Sequence, residues 1–181
     1  MSLDRLYNIA VSYSQRYLVS EAKLIEYLSR KIHLATTNDA ERGKLLSQVP
    51  SIASKLARLG LVNDKQAASA KLRSTLRSGY APRLASSLAA LKAKVDIDVS
   101  NEMLPETLKE SFPDLEGGWE EESNKGELLA RTALSRSRRG PFRISDRDKK
   151  TDQRDIAWLR RRGYRYEDIC KAMDLEPDDL F

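Results

Sequence analysis

The chain has 181 residues, with 32 Lys/Arg against 27 Asp/Glu for a net charge of +5, 8 Gly, 6 Pro and a single Cys. That length supports one compact domain or a short array of small units, and the scarcity of Gly, Pro and strand-like runs leans toward helix. No apolar run approaches the roughly 20 residues of a membrane helix. One cysteine cannot close an internal disulfide, and "MSLDRLYNIA" lacks a charged start followed by an apolar stretch, so a cytoplasmic chain is expected.

Leu6, Ala10, Tyr13 and Tyr17 recur at helical spacing, which predicts a helix over 3–17 with one buried stripe. Ser20 is placed to cap a second helix, striped by Leu24, Leu28 and Ile32. Leu45, Val49, Ile52, Leu56 and Leu59 mark a third, with Pro50 predicting a kink or short break. Asp64 is the expected cap of a fourth, carrying Leu72 and Leu76. Pro82 suits the first turn of a fifth, with Leu84, Leu88, Leu91 and Val95 behind it. Thr107 and Glu110 have capping-box spacing for a short sixth helix. Residues 113–124, "PDLEGGWEEESN", read as an acidic linker, after which 125–139, 151–163 and Tyr166–Met173 are helical again. The fold class is therefore all-α.

Charge is distributed in blocks. Residues 1–60 hold nine basic and five acidic residues, and residues 61–95 hold seven and one. Residues 96–124 reverse the sign with one basic and ten acidic, while 125–165 carry fourteen and five. Basic blocks of this kind suit a polyanion or an acidic protein, although solvated helix faces give the same pattern.

Three turns echo one another: "SQRYLVSEAKLIEYL", "LRSGYAPRLASSL" and "LRRRGYRYEDICKAM". In the last two a basic helix ends at Gly79-Tyr80 or Gly163-Tyr164, where glycine takes positive φ readily and the aromatic can fold back on the helices. The spacing amounts to a degenerate repeat of roughly 50–60 residues.

These segments carry a resemblance. "KLARLGLVNDKQAASAKLRSTLRSGYAPRLASSLAALKAKV" resembles the second helical unit of the RecX family of bacterial RecA regulators. "YSQRYLVSEAKLIEYLSRKI" is similar to the first unit of that family, and "RRGPFR" with "DIAWLRRRGYRYEDICKAM" to the third. The resemblance implies an elongated, curved array of three three-helix units at 1–62, 63–112 and 125–181, with 113–124 as linker. It also implies a monomer that is not an enzyme and binds the groove of the RecA filament, with single- or double-stranded DNA within it. Family members there block extension or promote disassembly, and damp ATP hydrolysis, strand exchange and co-protease activity. The strongly acidic linker and Pro50 depart from the family pattern.

The residues themselves offer a candidate contact surface. Lys65, Arg73 and Arg77 share an i, i+4n ridge, and Arg83 follows the next turn. Arg131, Arg136, Arg138 and Arg139 crowd one helix end, with Arg143 soon after. Arg136, Arg138 and Arg139 lack acids nearby in sequence, so partner binding is expected of them. Trp158 lies among Arg154, Arg161 and Arg162, either exposed for stacking or, as the size of the ring favours, buried under arginine stems.

No enzyme or cofactor site emerges. His33 is the only histidine and Cys170 has no soft partner, no Gly-rich loop carries Lys-Ser/Thr, and Glu120–Glu122 lacks the spacing of a metal cradle. Two alternatives to filament regulation remain: an operator-type DNA binder using the C-terminal helix pair, and a helical scaffold for another protein. The second helix of that pair is expected to begin Glu176-Pro177-Asp178-Asp179, which would set carboxylates against a polyanion.

Overall fold

Short polar side chains open most of the helices by accepting N–H groups that have no partner within the helix. The computed structural model of the chain describes residues 1–113, 115 and 122–175, with side chains of the last stretch from residue 125. Among these residues there are nine α-helices and no strand: α1 (Leu3–Arg16), α2 (Glu21–Ala35), α3 (Asp39–Arg58), α4 (Asp64–Arg77), α5 (Pro82–Ala93), α6 (Ile97–Ser111), α7 (Glu122–Ser137), α8 (Lys149–Arg161) and α9 (Tyr166–Met173). Ser2, Ser20 and Asn38 cap the first three helices. At α8 Asp148 and Thr151 form a reciprocal capping box, in which the Thr151 N–H and then its hydroxyl hold the Asp148 carboxyl below its ordinary range.

Several expected details shift. Asn63, not Asp64, caps α4 by accepting the Gln66 N–H at 3.0 Å, while Asp64 accepts the Glu21 N–H at 2.9 Å. The α6 helix is one 15-residue element, and its interior includes Pro105 and a buried Thr107. The Thr107/Glu110 spacing is therefore not a cap; Asp96 accepts the Asp98 N–H at the true start. Pro50 does not break α3, because Leu45, Val49, Ile52, Ala53 and Leu56 bury the face that spans it. The helix tolerates a missing N–H where packing outweighs a cost of about 3 kcal/mol.

Two stripes also move. In α1 the buried face is Leu6, Ala10 and Ser14, leaving Tyr13 half-buried and Tyr17 56% exposed. In α5 the buried face is Ala85, Ala89, Ala90 and Ala93, and Leu91 is 73% exposed. Leu59, just past α3, is likewise exposed, and Val62 beyond the turn is buried in its place.

The chain divides into two compact units, Met1–Lys71 with Ala89–Met103, and Leu72–Leu88 with Leu104–Phe181. The first is built on an apolar core in which Leu6, Leu24, Leu28, Ile32, Val49 and Leu56 are at most 1% exposed. Ser20, which opens α2, also donates its hydroxyl to the Ala93 carbonyl that ends α5. In the second unit α9 packs on α7 and α8 and buries Ile169, Cys170, Ala172 and Met173.

Helices end in one recurrent way. At residues 60, 79, 94, 138, 163 and 174 the chain takes φ between 51° and 84°. At each, the N–H of that residue bonds the carbonyl three back and the next N–H bonds the carbonyl five back relative to itself. This closes the last turn of the helix and satisfies its free carbonyls. Glycine fills three of the sites; Lys94, Arg138 and Asp174 fill the others despite a Cβ that disfavours the conformation.

Candidate partner and nucleic-acid interface

The two Gly-Tyr turns that echo in sequence meet in space, both within the second unit. The Ala81 N–H donates to the Arg162 carbonyl at 2.9 Å, and the Arg162 Nε donates to the Ser78 carbonyl at 3.3 Å. A Cβ on Gly79 would stand 3.1 Å from Ala133 and 3.4 Å from Trp158, and one on Gly163 would stand 2.9 Å from Leu84. Both glycines thus serve two needs, a left-handed backbone and close approach. Tyr164, behind the second turn, is buried, and burial pushes its phenol pKa well up.

Trp158 settles between its two expected states. The ring is half-buried, and Arg162 and Arg139 set their guanidinium carbons 3.7 Å and 5.0 Å from its centroid. Arg162 also lies 5.3 Å from the Tyr80 centroid. The arginines cover the indole with planar cations, an arrangement held by cation–π attraction as well as by stem packing.

Beneath them lies Asp155, fully buried within α8. It accepts from Arg139 Nη1 at 2.7 Å, the Gly140 N–H at 2.8 Å and Arg143 Nη2 at 2.7 Å. Burial alone would raise its pKa, but the Gly140 N–H and the two guanidiniums outweigh it and hold the carboxyl below its ordinary value. Gly140 opens a 3-10 turn (Gly140–Phe142), and a Cβ there would meet the Met173 sulfur at 2.7 Å. Asp155 therefore ties the end of α7, this turn and α8 together.

This network corrects one expectation and sorts the rest. Arg139 does have an acid, sixteen residues on, and with Arg143 it is committed to Asp155. Lys65 pairs with Glu102 at 2.5 Å and Arg73 with Glu110 at 2.6 Å, so the acidic block neutralises part of the α4 ridge. Arg131 pairs with Asp174 at 2.7 Å and lies over Phe142. Arg77, Arg83, Arg136, Arg138, Arg154 and Arg161 are exposed, and among the described residues none forms an ion pair. Arg136 covers the Phe112 ring at 4.9 Å. Lys65 belongs to the first unit and the other eleven cations to the second.

Asp155 was absent from the sequence-predicted set. Its available signal is register: it lies four residues before buried Leu159, so a carboxylate occupies the apolar stripe of a helix surrounded by arginines. Among the described residues no group of His, Cys, Asp and Glu could hold a metal ion, and no helix is long and apolar enough to cross a membrane. The start of a further helix at Glu176 lies outside the described residues.

No family model matches the chain. It is 28% identical over 174 residues to the regulatory protein RecX of Myxococcus xanthus (strain DK1622), covering 95% of this chain and 86% of that protein. Its fold matches the crystal structure of RecX from Lactobacillus salivarius with a TM-score of 0.53, at 17% identity and 94% coverage of both chains. The chain is RecX-like, in sequence along the first and in all-helical fold along the second.

Proposed function

We propose that this chain is a regulator of the RecX type that binds a RecA filament and restrains it. The likeness to RecX over nearly the whole length supports the class. On this reading the three-helix segments 1–62, 63–112 and 125–181 are successive units joined by the acidic 113–124 stretch. The protein acts in the cytoplasm as a monomer, without catalysis or cofactor. It lodges in the filament groove, limits extension or promotes disassembly, and lowers ATP hydrolysis, strand exchange and co-protease activity.

Arg138 is the observation that carries the contact surface. Its backbone takes φ 51°, where glycine is the favoured residue, and its exposed guanidinium has no ion pair among the described residues. Its backbone closes the end of α7, but any residue, glycine best, would do that, and an arginine side chain with no visible part in the fold fits a contact role. Arg77, Arg83, Arg136, Arg154 and Arg161 are the companion candidates. Lys65, Arg73, Arg131, Arg139, Arg143 and Arg162 contribute field while engaged within the protein.

The test measures RecA ATPase activity and filament length on single-stranded DNA as the protein is added. Sub-stoichiometric protein is expected to shorten filaments and slow hydrolysis; no change in either defeats the proposal. Arg138→Gly is expected to raise stability by about 1 kcal/mol by relieving the backbone while weakening filament binding. A variant that is stabilised and binds unchanged removes Arg138 from the surface.

A further inference from the structure

The first unit has a basic groove that the filament reading does not use. It lies along α1 and α2 and encloses about 800 Å³, open to solvent. Arg5 and Arg16 line it from α1, with Asn8 and Ser12 on the same face, and Lys31 and Tyr27 line it from α2. Arg5 and Arg16 are eleven residues apart, so the cations span about 16 Å of helix axis. Asp4 is the one acid in the lining, and among the described residues Arg5, Arg16 and Lys31 form no ion pair.

Tyr27, in the lining of the groove, begins a row of aromatic rings that continues beyond it. Tyr27 stacks flat on Tyr13, with centroids 3.8 Å apart and 9° between planes. Tyr13 meets Tyr17 at 5.0 Å, and Tyr17 ends the run more than half exposed. Lys31 and Arg30 lie 5.5 Å and 6.0 Å from the Tyr27 centroid. Tyr13 and Tyr27 pack, partly buried, against the core of the first unit, which fixes the row in place, whereas Tyr17 is exposed at its end. Cations spaced along a groove, with an exposed aromatic ring close by, are what a single strand needs, for its phosphates and an unpaired base respectively.

We infer that the α1–α2 face of the first unit is a binding groove for single-stranded nucleic acid. Arg5, Arg16 and Lys31 hold phosphates, and the tyrosine row offers Tyr17 to a base. An acidic peptide would use the cations but leave the rings idle, and a duplex would present no free base to Tyr17. The site does not depend on RecA or on the arginines of the second unit.

The test is fluorescence anisotropy of a dye-labelled oligothymidylate with the full chain and no recombinase present. Replacing Arg5, Arg16 and Lys31 together by Ala is expected to lower affinity at least about tenfold and to flatten the log–log salt slope by about 2, at roughly 0.7 per phosphate. The single Arg16→Glu exchange gives a second readout in the same direction, and far-UV circular dichroism checks that both fold. An abasic strand of equal length is expected to bind about fivefold more weakly, a gap that Tyr17→Leu closes. Wild-type affinity and slope in both charge variants overturn the inference. So does polyglutamate displacing the strand as effectively as unlabelled oligothymidylate, or a duplex of equal length binding as tightly. Because no RecA is present, failure here leaves the filament reading standing, and loss of filament inhibition leaves this groove standing.

Discussion

The two units use charge in opposite ways. In the first, the buried side chains are aliphatic or small hydroxyls and none is charged, so charges such as Glu26 stay at the surface. Lys23 and Lys94 hold that carboxyl down, to a pKa of about 2, while all three side chains keep 40–45% of their surface exposed. In the second, a carboxylate with no solvent exposure sits under two arginines and a backbone N–H. Counting cations along the chain therefore overstates the surface available to a partner wherever cations hold the fold together.

The contrast breaks most directly at Asp155. Asp155→Ala leaves Arg139 and Arg143 half-buried beside an unmet Gly140 N–H, and a loss of about 3–5 kcal/mol is expected in urea unfolding. Its folded pKa is depressed, so its contribution is complete above the unfolded value of about 4 and is lost as pH falls through the folded value. Wild-type protein is expected to lose stability below that pH, with a flatter profile for the variant; parallel profiles contradict the assignment. Leu28→Ala in the first unit is expected to cost about 2–5 kcal/mol by transfer and cavity. Unlike Asp155→Ala, that loss should be the same at pH 3 and pH 7.

Two helix-interior glycines sharpen the comparison at smaller scale. A Cβ on Gly126 in α7 would run into the Asp168 carboxylate of α9, and burial already raises the pKa of that carboxyl. Gly126→Ala is expected to destabilise by about 1–3 kcal/mol. Gly43 in α3 has nothing within 4 Å of the same position, so Gly43→Ala is expected to stabilise by about 0.5–1 kcal/mol. Thermal unfolding of the two variants reads opposite signs, and like signs would show that the local surroundings are misjudged.

Helix order was legible because it rests on local chemistry: Ser20 as cap, Pro82 at a first turn, and Tyr166–Met173 as a short helix all stand where the residues place them. Which face is buried was less legible, since alanines cover the inner side of α5 and Leu91 points out. Periodicity registers size and hydropathy, whereas close helix approach selects small residues. In the candidate site the arginines were visible by type. Their division between internal and free was not, because the acids that bind them, Asp155, Glu102, Glu110 and Asp174, come from other helices or turns.

Trp158 has a spectroscopic consequence. An indole with positive charges over its ring has an excited state that senses their positions, so its emission should follow the Arg139 and Arg162 guanidiniums. With Trp119 replaced by Phe, the remaining tryptophan fluorescence, excited where the tyrosines do not absorb, belongs to Trp158 alone. The second unit thus contains its own optical probe, placed where the Gly-Tyr turns and the Asp155 network meet.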